Sequence, residues 1–131
     1  MTTPRQNIKS GSPLEPIIGF SRAVRVGNII AVGGTAPIGA DGKCAGVGNV
    51  AAQTRRVLAI IEQSLTDAGS GFGDVVRSRI ILTDIADWQA VAAIHGEVFA
   101  AVRPVTTVME VSRFVDPDWL IEIEVDAVIA V

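Results

Sequence analysis

From Leu120 onward polar and apolar residues alternate almost strictly, with Ile121, Ile123, Val125, Ala127 and Ile129 on one side and Glu122, Glu124 and Asp126 on the other. That is the period of a strand with one face in a core. Residues 105–112 are a second β-rich run, and 114–118, which carry Asp116-Pro117-Asp118, read as the turn that joins the two into a β-hairpin. Upstream, Ala51, Thr54, Leu58, Ile61, Leu65 and Ala68 follow the spacing of one helical face. Asn49 suits the N-cap of that helix, and Gly69 stands where a left-handed C-terminal residue is wanted. Residues 75–82 form a β-branched strand, with Arg77 and Arg79 on one face and Val76, Ser78, Ile80 and Leu82 on the other. A second helix begins at Thr83-Asp84, capped by Asp84 or Asp87. It lines up Trp88, Val91, His95, Val98 and Val102 on one stripe and stops at Pro104. Near the N-terminus, residues 5–9 suit a short strand and 10–19, rich in Gly, Ser and Pro, a loop. Residues 21–26 and 29–32 form a hairpin about Gly27-Asn28, Gly33-Gly34 ends or kinks its second strand, and 40–43 make a further turn.

This order predicts an α/β (α+β) chain, with a single mixed β-sheet of about six strands and two helices on one face. Residues 1–131 read as one domain. The uncovered sheet face is expected to hold Thr106, Val108 and Glu110 beside Glu122 and Glu124. A face of that mixed kind suits a subunit interface with polar pockets at its rim, so a homo-oligomer is expected.

Composition narrows the choices. Apolar residues make up 49% and charged residues 19%, which excludes disorder, while no apolar run approaches the ~20 residues that span a bilayer. No signal or transit peptide is visible, and the single cysteine, Cys44, has no partner for an internal disulfide, so a cytoplasmic location is expected. A net charge of −3 with scattered basic residues gives no electrostatic footprint for nucleic acid. No dinucleotide or phosphate-loop fingerprint is present, and Cys44 and His95 have no further metal ligands near them, so neither a cofactor nor a metal is expected. Cys44 reads as a loop thiol.

Several segments together carry a resemblance that spans residues 17–131. They are Gly19-Phe20-Ser21-Arg22-Ala23, Val26-Gly27-Asn28, Gln53-Thr54-Arg55-Arg56-Val57-Leu58, Asp74-Val75-Val76, the run from Arg103-Pro104 to Val111, and Ile121-Glu122-Ile123-Glu124. The chain resembles the Rid family, the YjgF-like reactive intermediate deaminases also known as endoribonuclease L-PSP proteins. The resemblance implies a chorismate-mutase-like fold and a homotrimer whose sheets form a central barrel, with a small-molecule cleft between each pair of subunits. In deaminase members an arginine on the strand at 105–112 holds the substrate carboxylate while water attacks the imine carbon. Matching Met109-Glu110-Val111-Ser112-Arg113 to the family pattern puts Thr106 at that arginine. Threonine offers one hydroxyl and neither the charge nor the planar fork of a guanidinium. By the same comparison Phe20 stands for the cleft tyrosine without its hydroxyl, and the cleft carboxylate is kept as Glu122.

The candidate site is therefore Glu122 as the group that orients or deprotonates a water, with Thr106, Phe20, Val108, Arg103 and His95 as substrate contacts. Three of them have a plainer reading. Glu122 is also one of three alternating acids on a sheet face. His95 suits a partly buried helix residue with one hydrogen bond, and Arg103 a helix C-terminal cation favoured by the dipole. Arg22, beside Phe20, is expected to face solvent. Three functions stay open: a hydrolase of an enamine or imine, a binding module without turnover, and the endoribonuclease or translation-inhibitor role attached to some members of the family.

Overall fold

The computed structural model describes residues 4–130. Six strands form one sheet: β1 (Gln6–Ile8), β2 (Ala23–Val26), β3 (Ile29–Thr35), β4 (Val75–Leu82), β5 (Val105–Glu110) and β6 (Ile121–Val128). Helices α1 (Val50–Asp67) and α2 (Trp88–Phe99) connect β3 to β4 and β4 to β5. The strand order is β1-β2-β3-β6-β4-β5. Because β3 and β4 both run antiparallel to β6, they are parallel to each other, and α1 is the crossover between them.

Helix α1 begins and ends where the sequence places its caps. Asn49 Oδ1 accepts the Ala52 amide at 3.0 Å, and Gly69 adopts φ +82 while the Ser70 amide returns to the Leu65 carbonyl. Thr54, Leu58, Ile61, Leu65 and Ala68 are buried as the spacing predicts, joined by Gln53 and Val57. They pack on one sheet face made of Ile30, Val32, Ile80, Leu82, Ile121, Ile123, Val125 and Ala127. Each side chain of this size stabilises the fold by roughly 1.5–3 kcal/mol when fully buried.

The C-terminal runs do not form the hairpin that their neighbourhood in sequence suggests. Strand β5 pairs in parallel with β4, and β6 lies on the other edge of β4, between it and β3. Helix α2 carries the chain back along β4, so β5 can only lie parallel to it, and the long turn after β5 then returns β6 past β4 to the gap beside β3. Register corrects the face assignment as well. Thr106, Val108 and Glu110 stand opposite Ser78, Ile80 and Leu82, on the helix side of the sheet, whereas Glu122 and Glu124 stand opposite Ile81 and Arg79 on the uncovered side. The uncovered face carries Thr107 and Met109 from β5 instead.

Three smaller differences have local causes. A register shift between Val75 and Arg77 turns Val76 outward, 47% exposed, and puts Val75 in the core. Trp88 sits at the first turn of α2, which a preceding turn at Ile85–Asp87, capped by Asp84, swings clear of the sheet. The buried stripe is Val91, Ile94, His95 and Phe99. The Gly/Ser/Pro-rich stretch is not all loop, since Glu15–Gly19 forms one helical turn. Gly33-Gly34 kinks β3 without ending it, at a register shift between Val32 and Thr35.

Candidate functional site

The uncovered face separates the three acids of β6. Glu124 meets Arg79 at 3.0 Å, and Asp126 meets Arg77 at 3.6 Å, both partly in solvent. Glu122 makes no hydrogen bond or ion pair among the described residues, although it is half-buried. Burial raises its pKa and the Glu124 charge adds to this, while Arg22 pulls the other way. Its carboxylate lies against Gly34: a Cβ at that position would stand 2.7 Å from Glu122 Oε1. The glycine at the kink of β3 is thus what makes room for the acid.

Arg22, expected in solvent, is only 5% exposed. Its Nη1 donates to the Gly34 carbonyl at 2.7 Å and to Thr35 Oγ1 at 3.0 Å, and its guanidinium lies over the Phe20 ring at 5.2 Å. Burial lowers its pKa, and the Glu15 and Glu122 charges oppose that change. Glu15 is buried too. Burial pushes its pKa up, but hydrogen bonds from the Ser10 hydroxyl and the Ser10 and Ser12 amides, together with the Arg22 charge, outweigh that and leave it lowered. The helical turn at Glu15–Gly19 brings this carboxylate beside Arg22. Neither the turn nor its consequence has a signal in residue spacing.

Phe20, Arg22, Gly34 and Glu122 lie along one open groove of about 1090 Å³, which Trp119 and Arg56 also line. The start of β6 is held there by Gln53 on α1, fully buried, which donates to the Asp118 carbonyl at 2.9 Å and accepts the Leu120 amide at 2.8 Å. Gln53 is a positioning residue that the apolar spacing of α1 could not reveal, because it is polar. Cys44 sits beside it, its thiol pushed up in pKa by burial and by Asp116 and Asp118.

Of the residues named from the sequence, the groove of one chain brings together Phe20 and Glu122. Thr106 and Val108 lie on the outer strand β5, on the opposite side of the sheet from Glu122, and the Thr106 hydroxyl donates to the Pro104 carbonyl. Arg103 closes the end of α2 with φ 55 and its Nε on the Ala100 carbonyl. It precedes the end of β5 that pairs with Arg77, away from the end level with Glu122. His95 is buried on the helix side, where Nε2 meets Ser78 Oγ at 2.9 Å and the ring packs on Phe99 at 4.6 Å. That is the core histidine of the plainer reading.

No helix among the described residues is long and apolar enough to cross a membrane. The family model for endoribonuclease L-PSP matches residues 10–129. A crystal structure of a YjgF/YER057c/UK114 family member from Mycobacterium tuberculosis superposes with a TM-score of 0.87 at 42% identity, covering 96% of this chain and 100% of that one. The YjgF protein of Escherichia coli gives 0.82 at 29% identity, over 94% and 98%. A relative from Acinetobacter baylyi, 3-aminoacrylate deaminase RutC, is 36% identical over 116 residues, 88% of this chain and 90% of that protein. With the match running over nearly its whole length and the sheet order in place, this chain belongs to the endoribonuclease L-PSP family, the YjgF-like Rid group.

Proposed function

We propose that this chain is a Rid-type hydrolase of a small enamine or imine, with Glu122 as the base that activates water. The observation that carries the reading is Glu122 itself: a half-buried carboxylate with no partner among the described residues, seated against Gly34 on a groove while its two neighbours on β6 pair with arginines. An acid held that way has its oxygens free for a water, and its raised pKa makes it a better base than an exposed carboxylate. Glu122 takes a proton from water as the oxygen bonds to the imine carbon. That proton is returned to the nitrogen to give the carbinolamine, and as its C–N bond breaks the hydroxyl proton also passes to the nitrogen, so that ammonia leaves and a carbonyl remains. The relative named as a 3-aminoacrylate deaminase supports this class of chemistry.

Without a guanidinium at Thr106 the chain is a poor deaminase of 2-imino acids. Within one chain Thr106 and Glu122 also face opposite sides of the sheet. The complete cleft is therefore built from two chains of a homotrimer, β5 of one copy closing the groove of the next.

The test is one hydrolysis assay over a panel of enamines and imines that includes 2-iminobutanoate. Glu122→Gln lowers kcat on whichever substrate turns over by about 10²–10⁴-fold, the usual share of a positioned base. The wild-type rate rises with pH through a pKa above the ordinary carboxylate value of 4.5. Thr106→Arg gains activity on 2-iminobutanoate. Full activity of Glu122→Gln on every substrate defeats the assignment. For the assembly, light scattering on a gel-filtration peak gives about three times the 13.7 kDa chain mass, and a monomer at micromolar concentration defeats the shared cleft.

A further inference from the structure

Glu122 stands close to the open end of its strand. On the β3 side the ladder of β6 stops at the pair Thr35–Ile123, and on the β4 side at Leu82–Ile121. Glu122 is therefore beyond the last residue that β3 holds and one residue inside the last that β4 holds. A strand end fastened along one edge opens at little cost, and a carboxylate on it moves with it.

The end is nonetheless anchored, and by α1 as well as by the sheet. Gln53 is fully buried on α1. Its Oε1 accepts the Leu120 amide at 2.8 Å, and its Nε2 donates to the Asp118 carbonyl at 2.9 Å and to the Gly46 carbonyl at 3.2 Å. Both donors and the acceptor of the amide are thus used, on two segments outside the helix. From the end of β4 the Thr83 amide donates to the Leu120 carbonyl at 3.1 Å. The remaining bonds of 118–120 are local or long: the Asp118 and Trp119 amides turn back on Asp116, and the Cys44 thiol is 3.7 Å from the Asp118 carbonyl. The Trp119 indole does not fasten the segment by a hydrogen bond, since its buried Nε1 has no partner among the described residues. On a helix that also buries Val57, Leu58 and Ile61, an apolar side chain of the same size would fill the space. The bonds to 118 and 120 are what a glutamine adds.

We propose that Gln53 is a positioning residue for Glu122: by clamping 118–120 to α1 it keeps β6 from opening at its start and so fixes the carboxylate against Gly34. The burial that raises the Glu122 pKa then depends on the clamp, while Arg22 lowers that value and Glu124 adds to it. The effect of the clamp on rate rests on the hydrolase reading, and its effect on the carboxylate does not.

The experiment compares wild type, Gln53→Met and Thr54→Val by carboxyl NMR titration, with the Glu122 signal assigned by its loss in Glu122→Gln. Methionine keeps the length of the side chain and removes every bond. Thr54 is equally buried one position along, but its hydroxyl donates to the Val50 carbonyl within α1, so Thr54→Val removes a buried hydrogen bond that does not reach β6. In Gln53→Met the Glu122 pKa moves down towards 4.5. On any imine that turns over, kcat falls about tenfold or more with KM within about twofold, as for a displaced catalytic group. Thr54→Val titrates and turns over as wild type does. An unmoved Glu122 titration in Gln53→Met overturns the clamp, as does an equal shift in Thr54→Val, which would reduce Gln53 to a general contribution to stability. If Gln53→Met does not fold, hydrogen exchange of the wild type decides. The Leu120 amide exchanges about a hundredfold or more slowly than in an unfolded chain when the end is clamped, and exchange near the unfolded rate overturns it. The two readings fail separately. A moved titration with no turnover of any imine defeats the hydrolase alone, and turnover that needs Glu122 but is indifferent to Gln53→Met defeats the clamp alone.

Discussion

The two faces of β6 are built from one alternating run and have opposite fates. On the helix side, Ile121, Ile123, Val125 and Ala127 are at most 1% exposed and differ little from one another, because burial under helices asks only for apolar volume. On the uncovered side the three acids look alike in sequence, yet two are paired with arginines from β4 and one is not. Alternation decides which face a residue takes. What it does there depends on the cross-strand neighbour, which puts Arg79 opposite Glu124 but Ile81 opposite Glu122. An acid opposite an isoleucine and against a glycine is the one left without an arginine among the described residues.

The sharpest way to break this comparison is a pair of truncations one residue apart. Ile123 is fully buried, so Ile123→Ala lowers the unfolding free energy by about 2–5 kcal/mol. Glu124 is about a third exposed and its bond to Arg79 is solvent-screened, so Glu124→Ala costs about 1 kcal/mol or less. Urea titrations of both variants check this. Equal losses would mean that the two faces are not energetically distinct.

The same contrast explains what was legible in the sequence. Helix α1 could be read nearly complete, because its cap, its spacing and Gly69 are all local signals. The faces of β6 could be read for the same reason. The partner of β5 could not: adjacency suggested a hairpin with β6, whereas the choice turns on where α2 deposits the chain beside β4. Glu122 was legible by resemblance and by periodicity, but its difference from Glu124 was not, since that rests on register across three strands. Arg22 was misread because its guanidinium finds the Gly34 carbonyl and the Thr35 hydroxyl across the β2–β3 hairpin, contacts that no residue spacing signals, and lies over the Phe20 ring.

A smaller effect separates the faces by the sign of their pH dependence. On the helix side the titrating group is His95, whose pKa burial holds below the ordinary 6.5; it faces Ser78 and Phe99, with no charged group contributing to the shift. The neutral ring is favoured in the fold, so the unfolded chain binds the proton first. His95 therefore contributes stability that is present above pH 6.5 and is lost as pH falls through that value towards the lowered one. Glu122 acts with the opposite sign. Its raised pKa favours the protonated acid in the fold, and its contribution, present below pH 4.5, is lost as pH rises through the folded value. Between the two ordinary values, 4.5 and 6.5, the two contributions oppose each other, and the wild-type profile alone conceals both. Subtracting a variant exposes one. His95→Gln keeps an amide for Ser78 and removes the titration, so the stability of wild type relative to His95→Gln falls as urea unfolding is repeated from pH 7.5 down to pH 5, by about 1.4 kcal/mol for each unit of pKa difference between the two states. Glu122 is common to both proteins, and it cancels. Parallel stability curves for the two proteins over that range would show that burial of His95 against Ser78 and Phe99 does not favour its neutral form.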